Sequence, residues 1–140
     1  MTTVVLDASA VASWYIAGQA TAGGDALLLE APDLEFDTPH VFPTEVANLL
    51  LKAERRSRIP QAKAVEALEG LAGLRIRVHP APDWAGMGSM LQLARAEGLS
   101  VYDALYLDLA IREGATVASR DAPLLEAAAR RSLGVRDLRT

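Results

Sequence analysis

Val4-Val5-Leu6-Asp7-Ala8-Ser9-Ala10-Val11-Ala12-Ser13-Trp14-Tyr15-Ile16 is the stretch on which the fold turns. Val4-Val5-Leu6 is a short apolar run and residues 10–16 follow a helical pattern, so a strand feeds directly into a helix. Only the step Asp7-Ala8-Ser9 separates them. Parallel α/β folds often open in this way, and the rest of the chain keeps the alternation. Residues 22–29 read as a helix ended by Pro32, and residues 34–38 as a strand. A stronger helix follows out to about Arg56, punctuated at its start by Pro39 and Pro43. Ile59-Pro60 restarts the chain into an amphipathic helix closed by Gly73, residues 75–79 alternate as a strand, and residues 84–96 form a helix capped by Gly98. Residues 100–113 are apolar almost all round, which predicts a substantially buried helix. A strand at 115–118, a helix at 121–132 and a short strand at 134–138 complete the series.

Such alternation implies an α/β fold with a mostly parallel central sheet covered on both faces, because parallel neighbours need long, usually helical crossovers. A chain of 140 residues without repeats or low-complexity segments is expected to form a single domain over 1–140. Aromatic residues make up 5% of a chain that is 51% hydrophobic, so the core has to be assembled from Ala, Leu, Val and Ile. The absence of cysteine removes disulfides, thiolate metal sites and a Cys nucleophile. No basic leader precedes Asp7 and no apolar run nears the roughly 20 residues of a membrane span, so a cytoplasmic protein with no membrane attachment is expected. The formal net charge of −4 argues against a broad cationic surface for nucleic acid, so any such contact has to be local. Two stretches supply cations for it: Lys52, Arg55, Arg56 and Arg58, and Arg130, Arg131, Arg136 and Arg139. Both also read as solvated helix faces.

Open parallel sheets build their sites beyond the carboxyl ends of the strands. Asp7 ends the first strand, Asp121 falls three residues after the strand ending at Ala118, Glu45 opens the helix behind Pro43, and Asp103 sits in the apolar 100–113 helix. Each acid has a structural alternative. Asp7 and Asp121 fit helix N-caps, Glu45 fits an answer to a helix dipole, and Asp103 fits a narrow exposed strip like that of Asp108. Together they argue for one site, since independent caps have no reason to fall at several strand ends and on an apolar helix. Crowded carboxylates raise one another's pKa unless a cation lies between them, and hard oxygen donors without His or Cys select Mg2+ or Mn2+. His40 and His79 are the only histidines; His79 reads as a strand end rather than a base, and neither GxGxxG nor GxxxxGK[ST] occurs.

Val4-Val5-Leu6-Asp7-Ala8-Ser9, Pro43-Thr44-Glu45-Val46-Ala47-Asn48, Ser100-Val101-Tyr102-Asp103-Ala104-Leu105-Tyr106 and Val117-Ala118-Ser119-Arg120-Asp121 resemble, in order and spacing, the four signature stretches of PIN-domain VapC toxins. The resemblance spans essentially the whole chain, and Tyr-Asp-Ala-Leu-Tyr is its most specific part. It implies a PIN-like three-layer α/β/α sandwich acting as an Mg2+- or Mn2+-dependent endoribonuclease, the toxin of a VapBC toxin-antitoxin pair. RNA as substrate, a cognate VapB-type antitoxin and a homodimer are the partners it implies. Asp7, Glu45, Asp103 and Asp121 then form the catalytic, metal-holding quartet, Asp7 and Asp103 are the leading ligands, and Ser9 and Ser119 are auxiliary. The chemistry needs no His base, because a carboxylate-held ion lowers the pKa of a bound water and neutralises charge developing on the phosphodiester. Arg55, Arg56 and Arg58 are placed to guide RNA or to contact the partner. A receiver-like phosphoryl-transfer domain would need an Asp pair near the first strand and a Lys after a late one, and the chain has neither. A binding module of the same fold, holding RNA or a partner without cutting, has no need of four acids.

Overall fold

The computed structural model describes residues 2–140. At its centre lies β1 (Thr2–Leu6), whose Val4, Val5 and Leu6 are at most 2% exposed. Side chains alternate across a strand, so three consecutive buried residues mean that both faces of the sheet are covered. β1 pairs with β2 (Leu34–Thr38) on one side and β4 (Thr116–Ser119) on the other. β3 (Ile76–Val78) extends the sheet beyond β2, and β5 (Val135–Asp137) extends it beyond β4. Every pairing is parallel and the order is β3-β2-β1-β4-β5. The chain therefore builds outward from β1 to one edge and then returns to the other side of β1. At such a switch the connections on the two sides diverge, and a crevice opens beyond the carboxyl ends of the strands.

The helices are α1 (Ala10–Tyr15), α2 (Ala22–Glu30), α3 (Phe42–Arg55), α4 (Gln61–Ala72), α5 (Trp84–Glu97), α6 (Val101–Glu113) and α7 (Ala122–Arg130). α6 lies against β1, β2 and β4, α7 against β4 and β5, and α5 packs on α6. α1 meets α2 and α4, and α3 meets α4. Gly98 and Gly114 end α5 and α6 with φ of 67° and 59°, a left-handed conformation that a Cβ disfavours. Ser100 caps α6 by accepting the Asp103 N–H at 3.1 Å, which fixes Asp103 in the first turn.

Two sequence expectations are corrected and one is refined. α6 is substantially buried, with Ala104, Leu105, Tyr106, Leu107, Leu109 and Ala110 inside, but it keeps an exposed strip on which Tyr102 is 59% and Ile111 39% exposed. The sheet and α5 cover two sides of it, and the third faces water, where Arg112 donates to Asp108 at 3.0 Å. β4 runs to Ser119 rather than Ala118, so Asp121 follows the strand by two residues and stands just outside α7. The tail cations are spent on structure. Arg130 and Arg131 both hold Glu97 at 3.0 and 2.9 Å, Arg136 holds Glu30 at 2.7 Å, and Arg139 holds Asp137 at 2.6 Å. Among the described residues no helix is long and apolar enough to cross a membrane.

Candidate active site

The switch in strand order places Asp7 directly after β1, beside Ser119, Arg120 and Asp121 at the end of β4. Asp7 is 6% exposed, and its Oδ2 accepts from Ser9 Oγ at 2.6 Å and from Ser119 Oγ at 2.7 Å. Each serine oxygen is itself held by a backbone amide of the β4 loop: Arg120 N–H donates to Ser9 Oγ and Asp121 N–H to Ser119 Oγ, both at 2.9 Å. A hydroxyl that accepts from an amide keeps its own hydrogen for the carboxylate, so the two serines lock the rotamer of Asp7. The capping alternatives fail on geometry. Ser9, not Asp7, is the N-cap of α1, and Asp121 occupies the N-cap of α7 without a side-chain cap bond.

Glu45 lies in the first turn of α3, where Phe42 and Val46 are buried and turn it toward the crevice. Its Oε1 accepts from the hydroxyl of Tyr106 at 3.1 Å, and Tyr106 is wholly buried on α6. Asp103 stands three residues before Tyr106, on the same helix face. All four acids line one cleft of about 560 Å³.

The acids perturb one another as groups sharing a cavity must. Burial raises the Asp7 carboxyl above its usual range against the pull of Ser9 and Ser119, and Asp121 adds to the rise. Glu45 is raised by burial and then by Asp7, with the Tyr106 bond opposing. Asp103 is pushed up to about 7, first by burial and then by its contact with Asp121, with Asp7 and Glu45 adding charge. The Tyr106 hydroxyl is held well above its ordinary value by burial and by the same two acids, Asp7 and Glu45. A cation among these groups would relieve all of the elevations at once.

The donor set fits a small hard ion. Among the described residues, the trio with ligand atoms all within 4.8 Å of one another is Asp37, His79 and Glu113, not a subset of the quartet. The quartet is an open cup rather than a closed cage, and this suits Mg2+, which typically takes one or two carboxylates and keeps several waters. In the Asp37 trio a guanidinium already fills the place of a cation. Arg77 donates to Asp37 at 2.8 Å and lies 3.7 Å from Glu113. His79 follows β3, as a strand end should, and its Nε2 comes within 3.2 Å of Asp37 Oδ2, but off hydrogen-bond geometry and without another partner.

Two lining residues, Gln19 and Asn48, were not singled out by the reading of the sequence. They face the cleft with Lys52, Arg56 and Arg58 of the first basic stretch, whereas Arg55 does not. Asn48 and Lys52 follow Glu45 by three and seven residues, a helical spacing that carries the signal. Gln19 had none: it is brought in by Arg120, whose guanidinium donates to the Gln19 carbonyl at 2.6 Å, the Gln19 Oε1 at 2.9 Å and the Ser13 hydroxyl at 2.9 Å.

An all-parallel sheet with a carboxylate-lined cleft at its switch in strand order defines an α/β domain built to present hard oxygen ligands. The chain belongs to the PIN-domain family, whose model matches residues 4–130. The ribonuclease VapC3 of Pyrobaculum aerophilum is 30% identical to it over 125 residues, 88% of this chain and 92% of the relative. The crystal structure of PAE2754 from Pyrobaculum aerophilum superposes with a TM-score of 0.68 at 25% identity, over 90% of this chain and 84% of that one. VapC20 of Mycobacterium tuberculosis, described as a Sarcin-Ricin loop cleaving toxin, shares the fold with a TM-score of 0.67 at 21% identity, over 89% of this chain and 94% of its own.

Proposed function

We propose that this chain is a divalent-metal-dependent endoribonuclease, the toxin of a VapBC-type pair, acting in the cytoplasm as a single PIN domain over residues 1–140. The observation that carries the reading is the meeting of Asp7, Glu45, Asp103 and Asp121, from four separate segments, in one cleft. The kinship with a relative named as a ribonuclease supports it. Asp7 and Asp103 are the ligands of an Mg2+ or Mn2+ ion, with Glu45 and Asp121 completing the cup. When bound, the ion makes a water nucleophilic near neutral pH and offsets charge building on the phosphodiester. Ser9 and Ser119 hold Asp7 in the rotamer that presents its remaining oxygen to the cleft. Tyr106 steadies Glu45 so that it accepts hydrogen bonds from water rather than swinging away. Arg120 fixes the Gln19 wall by tying the loop after α1 to its own guanidinium and to Ser13.

A cognate VapB-type antitoxin and a second copy of the chain are the protein partners of this reading. Purified, antitoxin-free protein incubated with RNA should cleave it with Mg2+ or Mn2+ and lose all cleavage with EDTA. Protein that binds RNA but never cuts it in either ion would establish the binding module instead.

A further inference from the structure

A second group of donors lies away from the cleft, and its chemistry differs from that of the quartet. Asp37 comes from β2, His79 directly follows β3 and Glu113 ends α6, and one ligand atom of each lies within 4.8 Å of the other two. Glu113 stands about 15 Å along α6 from Asp103, so an ion held here would be separate from one in the cleft. The sheet itself builds the site. Register pairs Asp37 with Arg77 across β2 and β3, and the His79 N–H donates to the Thr38 carbonyl at 2.8 Å, which sets the imidazole beside the carboxylate.

Two observations set this group apart from a surface cluster of acids. Asp37 is 1% exposed, so its carboxylate has to be answered by positive charge within the fold. His79 Nε2 is shut off from water and has no hydrogen-bond partner, although it lies 3.2 Å from Asp37 Oδ2. Off hydrogen-bond geometry, the nitrogen and the oxygen meet as two unbridged donors of electron pairs, and a cation between them relieves the contact. Two ligands of one tetrahedral Zn2+, each bound at about 2.0–2.1 Å, stand roughly 3.3 Å apart, close to the spacing found here. Arg77 shows where positive charge is wanted. Its guanidinium donates to Asp37 at 2.8 Å and lies 3.7 Å from Glu113, yet it leaves His79 Nε2 unanswered. Its side chain is 62% exposed, so it can turn out into water when another cation takes its place.

We propose that Asp37, His79 and Glu113 form a zinc site, exchangeable with the Arg77 guanidinium, that clamps the edge strand β3 to α6. Two carboxylate oxygens and an imidazole nitrogen, with water in the fourth place, suit Zn2+, whereas the all-oxygen quartet suits Mg2+. β3 is three residues long and pairs only with β2, so a link to α6 stabilises the least supported end of the sheet. The site is structural and stands whether or not the cleft cuts RNA.

The chain has two histidines and the quartet has none, so imidazole NMR separates the two sites. The full chain, stripped with EDTA and held in excess Mg2+ to occupy the cleft, is titrated with ZnCl2 while the ring nitrogens of His79 and His40 are followed. One equivalent of Zn2+ should move the His79 Nε2 resonance to saturation, leave His40 in place and raise the melting temperature. In calorimetric titration His79→Gln should remove that equivalent and Asp103→Asn should keep it. Arg77→Gln should bind zinc several-fold more tightly, because the competing charge is gone. A His79 resonance that does not respond overturns the site on the parent chain alone, whether or not any variant folds. Zinc that moves both histidines alike, or that binds His79→Gln as tightly as the parent, is adventitious and also overturns it. Loss of the equivalent in Asp103→Asn overturns it by placing the ion in the cleft. Weaker zinc binding by a folded Arg77→Gln overturns the exchange and leaves Arg77 as a plain structural partner of Asp37.

Discussion

Asp103 is the residue in which position and chemistry conflict most, since a carboxyl pushed up to about 7 sits among three other acids. Replacing it with Asn removes both a ligand and a repelling charge. Asp103→Asn should lower metal-dependent cleavage by at least about 100-fold, the scale of a single transition-state electrostatic contact. Without metal at about pH 8 the same variant should melt some 2–5 °C higher than the parent, and it should no longer respond to Mg2+. Cleavage assays and thermal denaturation read the two effects, and full activity in the variant would refute the ligand assignment. Ser119→Ala is subtler. It leaves Asp7 with the Ser9 hydroxyl alone, so the acid rises further and the acidic limb of the pH–rate profile should move to higher pH. The four acids stood out in the sequence because each joins a charged type to a marked place, a strand end for Asp7 and Asp121, a helix start behind a proline for Glu45 and an apolar helix for Asp103. The Tyr106 bond to Glu45 joins residues 61 positions apart, and nothing local announces it.

At the scale of elements, α6 is both a core helix and a wall of the site. Leu107 is fully buried on it, and Leu107→Ala should cost about 2–5 kcal/mol by denaturant unfolding, as cavities in packed cores do. Tyr106→Phe keeps the ring and deletes the hydrogen bond that joins the α6 core to the Glu45 carboxylate. It should fold normally yet need several-fold more Mg2+ for half-maximal cleavage, which a metal titration measures; an unchanged titration would leave Tyr106 with a packing role alone. The alternation of elements and most of their limits were readable from period, proline and glycine signals. The exposed strip of α6 was not, because an apolar helix does not state which side its neighbours will cover.

For the whole molecule, the raised acids make stability depend on pH in an unusual direction. The Asp103 carboxyl has an ordinary value of 3.8 and a folded value of about 7, so between these limits the folded chain binds more protons than the unfolded one. Stability from this group is complete below the ordinary value and is lost as pH climbs through about 7; Asp7 and Glu45, also raised, act in the same sense. Metal-free protein should therefore lose denaturant resistance from about pH 5 to pH 8, and saturating Mg2+ should restore it by mass action. A chain equally stable at both pH values would show that the acids are not crowded in solution. The sequence by itself determined the class of fold and pointed to four acids that line one cleft, because strand-helix periodicity and the cost of burying a charge are local properties of residue type and order. Which cations remain available, which wall Gln19 builds and how open the acidic cup is were decided by the tertiary structure alone. Each depends on distances between segments that only the packed sheet and helices set.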